Sequence, residues 1–145
     1  MNSAADYAFR LNVGAALART GPVDFVEEGL GGPRSVEADP AALGDVVLAR
    51  KEMPTSYHLA VTVDDALQGV TLVTRGIDLF AATPIHRLLQ ALLGLPPPRY
   101  RHHPLLTDAS GRRLAKRDRA LTIRAMRDAG QTPADVIAAA QSSGR

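Results

Sequence analysis

The segment "ATPIHRLLQALLGLPPP", residues 82–98, constrains the fold of this chain more than any other stretch. Thr83 can cap a helix, Pro84 suits the first helical position, and Gly94 can close the helix before three prolines stop it. Ile85, Leu88, Leu89 and Leu92 recur at helical spacing, so the helix has one apolar face that must be covered. Valine-rich apolar runs precede it, "YHLAVTVDD" (Tyr57–Asp65) and "GVTLVTRG" (Gly69–Gly76), and "YRHHPLLTD" (Tyr100–Asp108) follows it. All three read as strands, the first two with both faces covered. After them, "RALTIRAMRDAG" predicts a helix ending at Gly130, and "TPADVIAAAQ" predicts another, with Thr132 at its cap and Pro133 behind it. The order is that of an α/β protein.

Residues 1–50 read differently. "YAFRLNV" (Tyr7–Val13), "VDFVEEG" (Val23–Gly29) and "GDVVLARK" (Gly44–Lys51) predict short strands, and the turn-rich "LGGPRSVEADPAALG" between the last two predicts a loop. This gives a small β-rich, acidic segment over 1–50 and an α/β segment over 51–145. Charge follows the same division. Seven acids between Pro22 and Glu52 face only Arg34, Arg50 and Lys51, whereas nine Arg or Lys between Arg99 and Arg127 face only Asp108 and Asp118. The net charge of +2 does not by itself argue for nucleic acid. Its uneven distribution could steer an anionic partner toward the C-terminal part.

With 145 residues, 46% of them apolar, the chain suits one compact domain or part of a larger one. It contains no cysteine, which excludes disulfides and Cys-type zinc sites. No apolar run reaches the length of a membrane span, and the start lacks the character of a signal peptide, so a cytoplasmic protein is expected. His86, His102 and His103 do not form a recognisable metal-ligand pattern. Asp64 and Asp65, at the end of the first apolar run, would point to opposite faces of a strand and so would not act as a pair. There is no G-x-G-x-x-G, Walker A or G-x-S-x-G motif.

Two features could meet an anionic ligand. Arg75 stands where an apolar strand passes into its connecting loop, a place where a guanidinium can receive a carboxylate or phosphate, and Tyr57 heads the neighbouring run with a hydroxyl. A surface arginine and a core-edge tyrosine are the plainer alternative. The second feature is "GRRLAKRD" (Gly111–Asp118), with Arg112, Arg113, Lys116 and Arg117 placed between a strand turn and a helix start. It is either a solvated basic turn or a phosphate-holding loop with Lys116 as the contact.

The stretch "SYHLAVTVDDALQGVTLVTRGIDLFAATPIHRLLQALLG", followed by "HHPLLTDASGRRLAKRD", closely resembles the catalytic domain of class I glutamyl-tRNA synthetases. Within that family it is most similar to the short glutamyl-Q tRNA(Asp) type. The resemblance runs from about Ala8 to Asp118, and "GDVVLARKEMPTSYHLAVTVDD" is among its most specific parts. It implies the C-terminal half of a Rossmann-like catalytic domain, with the β-rich segment as an insertion on its N-terminal side. "RLAKR", Arg113, Leu114, Ala115, Lys116 and Arg117, is similar to the family's Lys-Met-Ser-Lys-Arg loop, which implies ATP binding there and a catalytic role for Lys116. Tyr57 and Arg75 match the residues that hold glutamate. Arg112, Arg113, Arg117 and Arg119 would add phosphate or tRNA-backbone contacts.

The implied reaction is ATP-dependent activation of glutamate, with magnesium accompanying ATP, and its transfer to queuosine of tRNA(Asp). The family's first signature, a His-Ile-Gly-His-type motif, is absent from these residues, as is the Cys-containing zinc insertion that many glutamyl-Q enzymes carry. The chain alone is therefore expected to be inactive and to be completed by an N-terminal half or by association. The alternative is a truncated RNA-binding or regulatory paralogue.

Overall fold

A computed structural model describes residues 7–29, 31–107 and 122–142. Contacts divide the chain into two compact units, one of Met1–Arg75 with Leu79–His102, the other of Gly76–Asp78 with His103–Arg145.

The first unit begins with a short strand, β1 (Ala8–Arg10), which pairs antiparallel with β4 (Val47–Arg50). The predicted strand Tyr7–Val13 is cut short because Asn12 starts a helix, α1 (Val13–Thr20). The Asn12 side chain accepts from the Ala15 N–H at 2.8 Å, and Asp45 Oδ1 accepts from the Val13 N–H at 2.9 Å. Two of the orphan donors at the helix start are thereby satisfied. β2 (Asp24–Gly29) lies where "VDFVEEG" predicts it. The expected loop after it instead returns as β3 (Gly32–Glu37), antiparallel to β2, before a single 3-10 turn at Pro40–Leu43. Ladder pairing with β2 supplies what the turn-rich composition of that segment lacks.

The larger correction concerns Tyr57–Asp65, which is not a strand but the body of a helix, α2 (Tyr57–Leu67). Ser56 caps it, accepting from the Leu59 N–H. Thr62 is its buried residue, and Tyr57, Asp64 and Leu67 are exposed. A continuous valine-containing run of this kind fits a buried strand and a helix equally well until caps and length decide. Asp64 and Asp65 accordingly lie on a helix, not at a strand end.

β5 (Leu72–Gly76), α3 (Thr83–Leu93) and β6 (Arg99–His103) fall where they are predicted. Gly94 closes α3 in the left-handed region, with φ +66°. The cap at its start differs from expectation. Ala82 holds the cap position and makes no side-chain bond, because the Thr83 hydroxyl is engaged elsewhere. The four-stranded sheet has the order β3-β2-β6-β5, with β2 and β6 parallel and Glu27 beside Tyr100. It thus takes strands from both sides of residue 50.

α3 presents two buried faces of opposite chemistry. Ile85, Leu88 and Leu89 pack with Val13 and Ala16 of α1 into an apolar core. Each fully buried leucine or isoleucine there stabilises the fold by roughly 1.5–3 kcal/mol. Thr83, His86 and Gln90, spaced three and four residues apart, are also buried. They meet the inward residues of the sheet, where Phe25, Tyr100 and Phe80 pack edge to face.

In the second unit, Gly76 sits so closely against Asp78 and Leu105 that an added Cβ would lie 2.5 and 2.9 Å from their side chains. α4 (Ile123–Asp128) is capped by Thr122, and Gly130 follows it at φ +80°. α5 (Pro133–Ser142) starts with a reciprocal cap: Asp135 accepts from the Thr132 N–H and hydroxyl, and Thr132 accepts from the Asp135 N–H. No helix among the described residues is long and apolar enough to cross a membrane.

Candidate functional site

Arg75 is the hub of a buried polar cluster. It leaves β5 toward α3 with only 8% of its surface exposed, against the plainer expectation of a surface arginine. Its Nε–H donates to His102 Nε2 at 3.1 Å, Nη1–H to His86 Nδ1 at 3.0 Å, and Nη2–H to the Thr83 hydroxyl. The guanidinium carbon also lies 5.3 Å from the centre of the Tyr100 ring, a cation–π distance. The positive charge has a buried counter-charge one imidazole away. Glu27 of β2 accepts from the His102 ring at 2.7 Å and from its backbone N–H at 2.9 Å.

These contacts set the histidine tautomers. A guanidinium only donates, so the nitrogens facing it must be lone pairs. His102 therefore carries its proton on Nδ1, toward Glu27, and His86 carries its own on Nε2. That proton points to His58 Nδ1 at 3.0 Å, which accepts it. Burial, and then the nearby Arg75 charge and His58, bring His86 down to about 3 from the ordinary histidine value. Burial first and Arg75 second also lower His58. Both rings are neutral at pH 7. Burial raises Asp65 and neighbouring Asp64 raises it too, with Arg75 opposing.

Tyr57 is at the edge of this cluster, half exposed, its ring 5.7 Å from that of His86 and 5.9 Å from that of His58. The first residue of a helix, not the head of a strand, thus brings it to the same place as Arg75. Both share His86 as a neighbour. An open groove of about 810 Å³ along β1 and β4, lined by Tyr7, Arg10, Arg50 and Met53 among others, does not include either residue. Arg113, Leu114, Ala115, Lys116 and Arg117, with Arg112 and Arg119, lie outside the described residues. Among the described residues, no group of three or more His, Asp or Glu side chains is placed to hold a metal.

Sequence reasoning missed Thr83, His86 and His102 as partners of Arg75, and Glu27 as the partner of His102. No sequence signal marked them: off the leucine face of an amphipathic helix, Thr83 and His86 would be expected to face solvent, and only packing against the sheet buries them.

A family described as "tRNA synthetases class I (E and Q), catalytic domain" matches residues 26–144. The chain belongs to that family. Among curated relatives, the glutamyl-Q tRNA(Asp) synthetase of Rhodobacter capsulatus is 63% identical over 95 residues, 66% of this chain and 34% of that protein. The enzyme of the same name from Nitratidesulfovibrio vulgaris is 47% identical over 110 residues, 76% of this chain and 34% of that protein. The chain thus spans about a third of the length of these relatives. A crystal structure of a glutamate tRNA ligase from Elizabethkingia meningosepticum, in complex with its amino acid, superposes with a TM-score of 0.54 at 28% identity. The match covers 68% of this chain and 19% of that one. The α/β fold expected from the sequence is therefore that of part of a class I synthetase catalytic domain.

Proposed function

We propose that this chain supplies the glutamate-holding part of a synthetase that activates glutamate with ATP and passes the glutamyl group to tRNA. The observation that carries this reading is the state of Arg75. Three of its five N–H groups are used to fix it, and one on each terminal nitrogen has no hydrogen-bond partner among the described residues. A guanidinium held in this way presents two donors to a carboxylate at little further ordering cost. Tyr57, with its ring against His86 and half its surface open, can offer a hydroxyl to the same ligand.

In the first step the α-carboxylate of glutamate attacks the α-phosphorus of ATP, and pyrophosphate leaves. Lys116 stabilises the phosphate charge that develops, and Arg113 and Arg117 add further positive charge for the phosphates. In the second step an acceptor hydroxyl on tRNA takes the glutamyl group. Resemblance to relatives named glutamyl-Q tRNA(Asp) synthetase favours queuosine of tRNA(Asp) as the acceptor. The chain spans about a third of the length of these relatives, and activity is expected of a completed form and not of these residues alone.

The test is glutamate-dependent ATP–pyrophosphate exchange by this chain joined to an N-terminal half from a relative. Exchange is expected, and Lys116→Ala should abolish it. No exchange, or exchange untouched by Lys116→Ala, overturns the reading. Labelled glutamate should then transfer to tRNA(Asp) that contains queuosine and not to tRNA(Asp) that lacks it. Equal labelling of both would remove queuosine as the acceptor.

A further inference from the structure

We propose that Glu27, acting through His102, is the positioning residue that aims the Arg75 guanidinium. The inference rests on reading Arg75 as a carboxylate receiver, and it extends that reading to a residue on a different strand.

An arginine side chain has four rotatable bonds, and a charge at its end is useful to a ligand only if its plane is fixed. Three acceptors fix it here, and they differ in strength. The Thr83 hydroxyl and His86 Nδ1 are neutral acceptors, and the Thr83 oxygen also lies 3.2 Å from His102 Nε2, to which its O–H can donate. His102 Nε2 is an imidazole lone pair whose ring donates its only proton to a buried carboxylate, Glu27. A carboxylate at Nδ1 polarises the ring and makes Nε2 a stronger acceptor toward a cation. Glu27 also holds the ring by a second route, through the backbone N–H of His102. The His102 side chain is 1% exposed and that of Glu27 5% exposed, so no water competes for these bonds.

The fold places the pair with little freedom. Glu27 and Phe25 are the inward residues of β2, Tyr100 and His102 are successive inward residues of β6, and the strands register with Glu27 beside Tyr100. Tyr100 stacks on His102 at 10° between planes, and Phe80 closes the ring from another side at 5.0 Å. These neighbours help hold the ring in place, and Glu27 sets which of its nitrogens carries the proton. Glutamine at position 27 removes that control. Its amide can either accept from Nδ1–H or donate to Nδ1, and the second arrangement moves the ring proton to Nε2, where it opposes Arg75 Nε–H.

The experiment has two readouts. In the ¹⁵N-labelled chain, His102 should show the neutral tautomer with the proton on Nδ1, and Arg75 Nε–H should exchange slowly with solvent. In Glu27→Gln, Arg75 Nε–H should exchange at least about tenfold faster while amides of Val13, Ala16, Leu88 and Leu89 keep their protection. A proton on His102 Nε2 in the unaltered chain, or unchanged Arg75 exchange in Glu27→Gln, overturns the proposal. If Glu27→Gln does not fold, the tautomer in the unaltered chain decides alone. In the joined form used for pyrophosphate exchange, Glu27→Gln should raise KM for glutamate about tenfold to a hundredfold, the range typical of a misplaced binding group. KM for ATP should stay within about twofold, because Glu27 acts only on Arg75. An unchanged KM for glutamate overturns the positioning role. Should Arg75→Ala itself leave KM for glutamate unchanged, the carboxylate reading falls, while the tautomer result still reports whether Glu27 orders Arg75.

Discussion

The two buried faces of α3 obey different rules. On one, Ile85, Leu88 and Leu89 meet Val13 and Ala16, and any well-shaped apolar neighbour would serve. On the other, Thr83 and His86 meet Arg75, with Glu27 and His102 behind it, and every atom has a required direction. The first face tolerates exchange because dispersion and water exclusion have no orientation. The second does not, because an unpaired charge in a dry interior costs more than the pair returns. A helix can therefore hold a domain together with one side and specify a site with the other.

The largest effect should come from breaking the polar face on one side only. Arg75→Met should destabilise the chain by about 3–5 kcal/mol in urea unfolding, since Glu27 is left buried without its counter-charge. The double change Arg75→Met with Glu27→Gln should recover much of that loss. If the double variant is as unstable as the single, the cost lies in packing and not in charge. On the apolar face, Leu88→Ala should cost about 2–5 kcal/mol, with no partner substitution able to restore it except one that refills the volume.

Acid separates the faces next. His86 is held at about 3 when folded and has an ordinary value near 6.5 when unfolded. Between those values the unfolded chain binds a proton that the folded chain does not, so stability falls as pH drops below about 6.5. Going from pH 7 to pH 5 should remove about 2 kcal/mol through this one group. His86→Asn should flatten that slope, and Leu88→Ala should leave it as steep as before. The smallest difference is Ile85→Val, expected to cost about 0.5–1.5 kcal/mol at either pH.

The apolar face was readable in advance because leucine spacing on a capped segment has a single interpretation. The polar face was not. Arg75 and Tyr57 were visible as candidates, but nothing in "VDFVEEG" distinguishes Glu27 from Glu28, which lies in the same strand and meets Arg99 and Arg101 near the surface. Only the alternation of β2 against β6 sends one inward and the other outward. Tyr57–Asp65 reads as a strand because a nearly continuous apolar run fits a buried strand and a helix alike, and Ser56, the residue that decides, precedes the run. Lys116 and its loop were legible as a motif and lie outside the described residues.

The hydrogen bond between His86 and His58 has a last consequence. Arg75 dictates the proton on His86, His86 dictates the one on His58, and Glu27 dictates the one on His102. No ring in the series can exchange its proton position without forcing a neighbour into opposition. The ring protons of the cluster form a polarised array, ordered before any ligand arrives. An incoming anion would then meet a field already set, and none of its binding energy would be consumed in turning dipoles around.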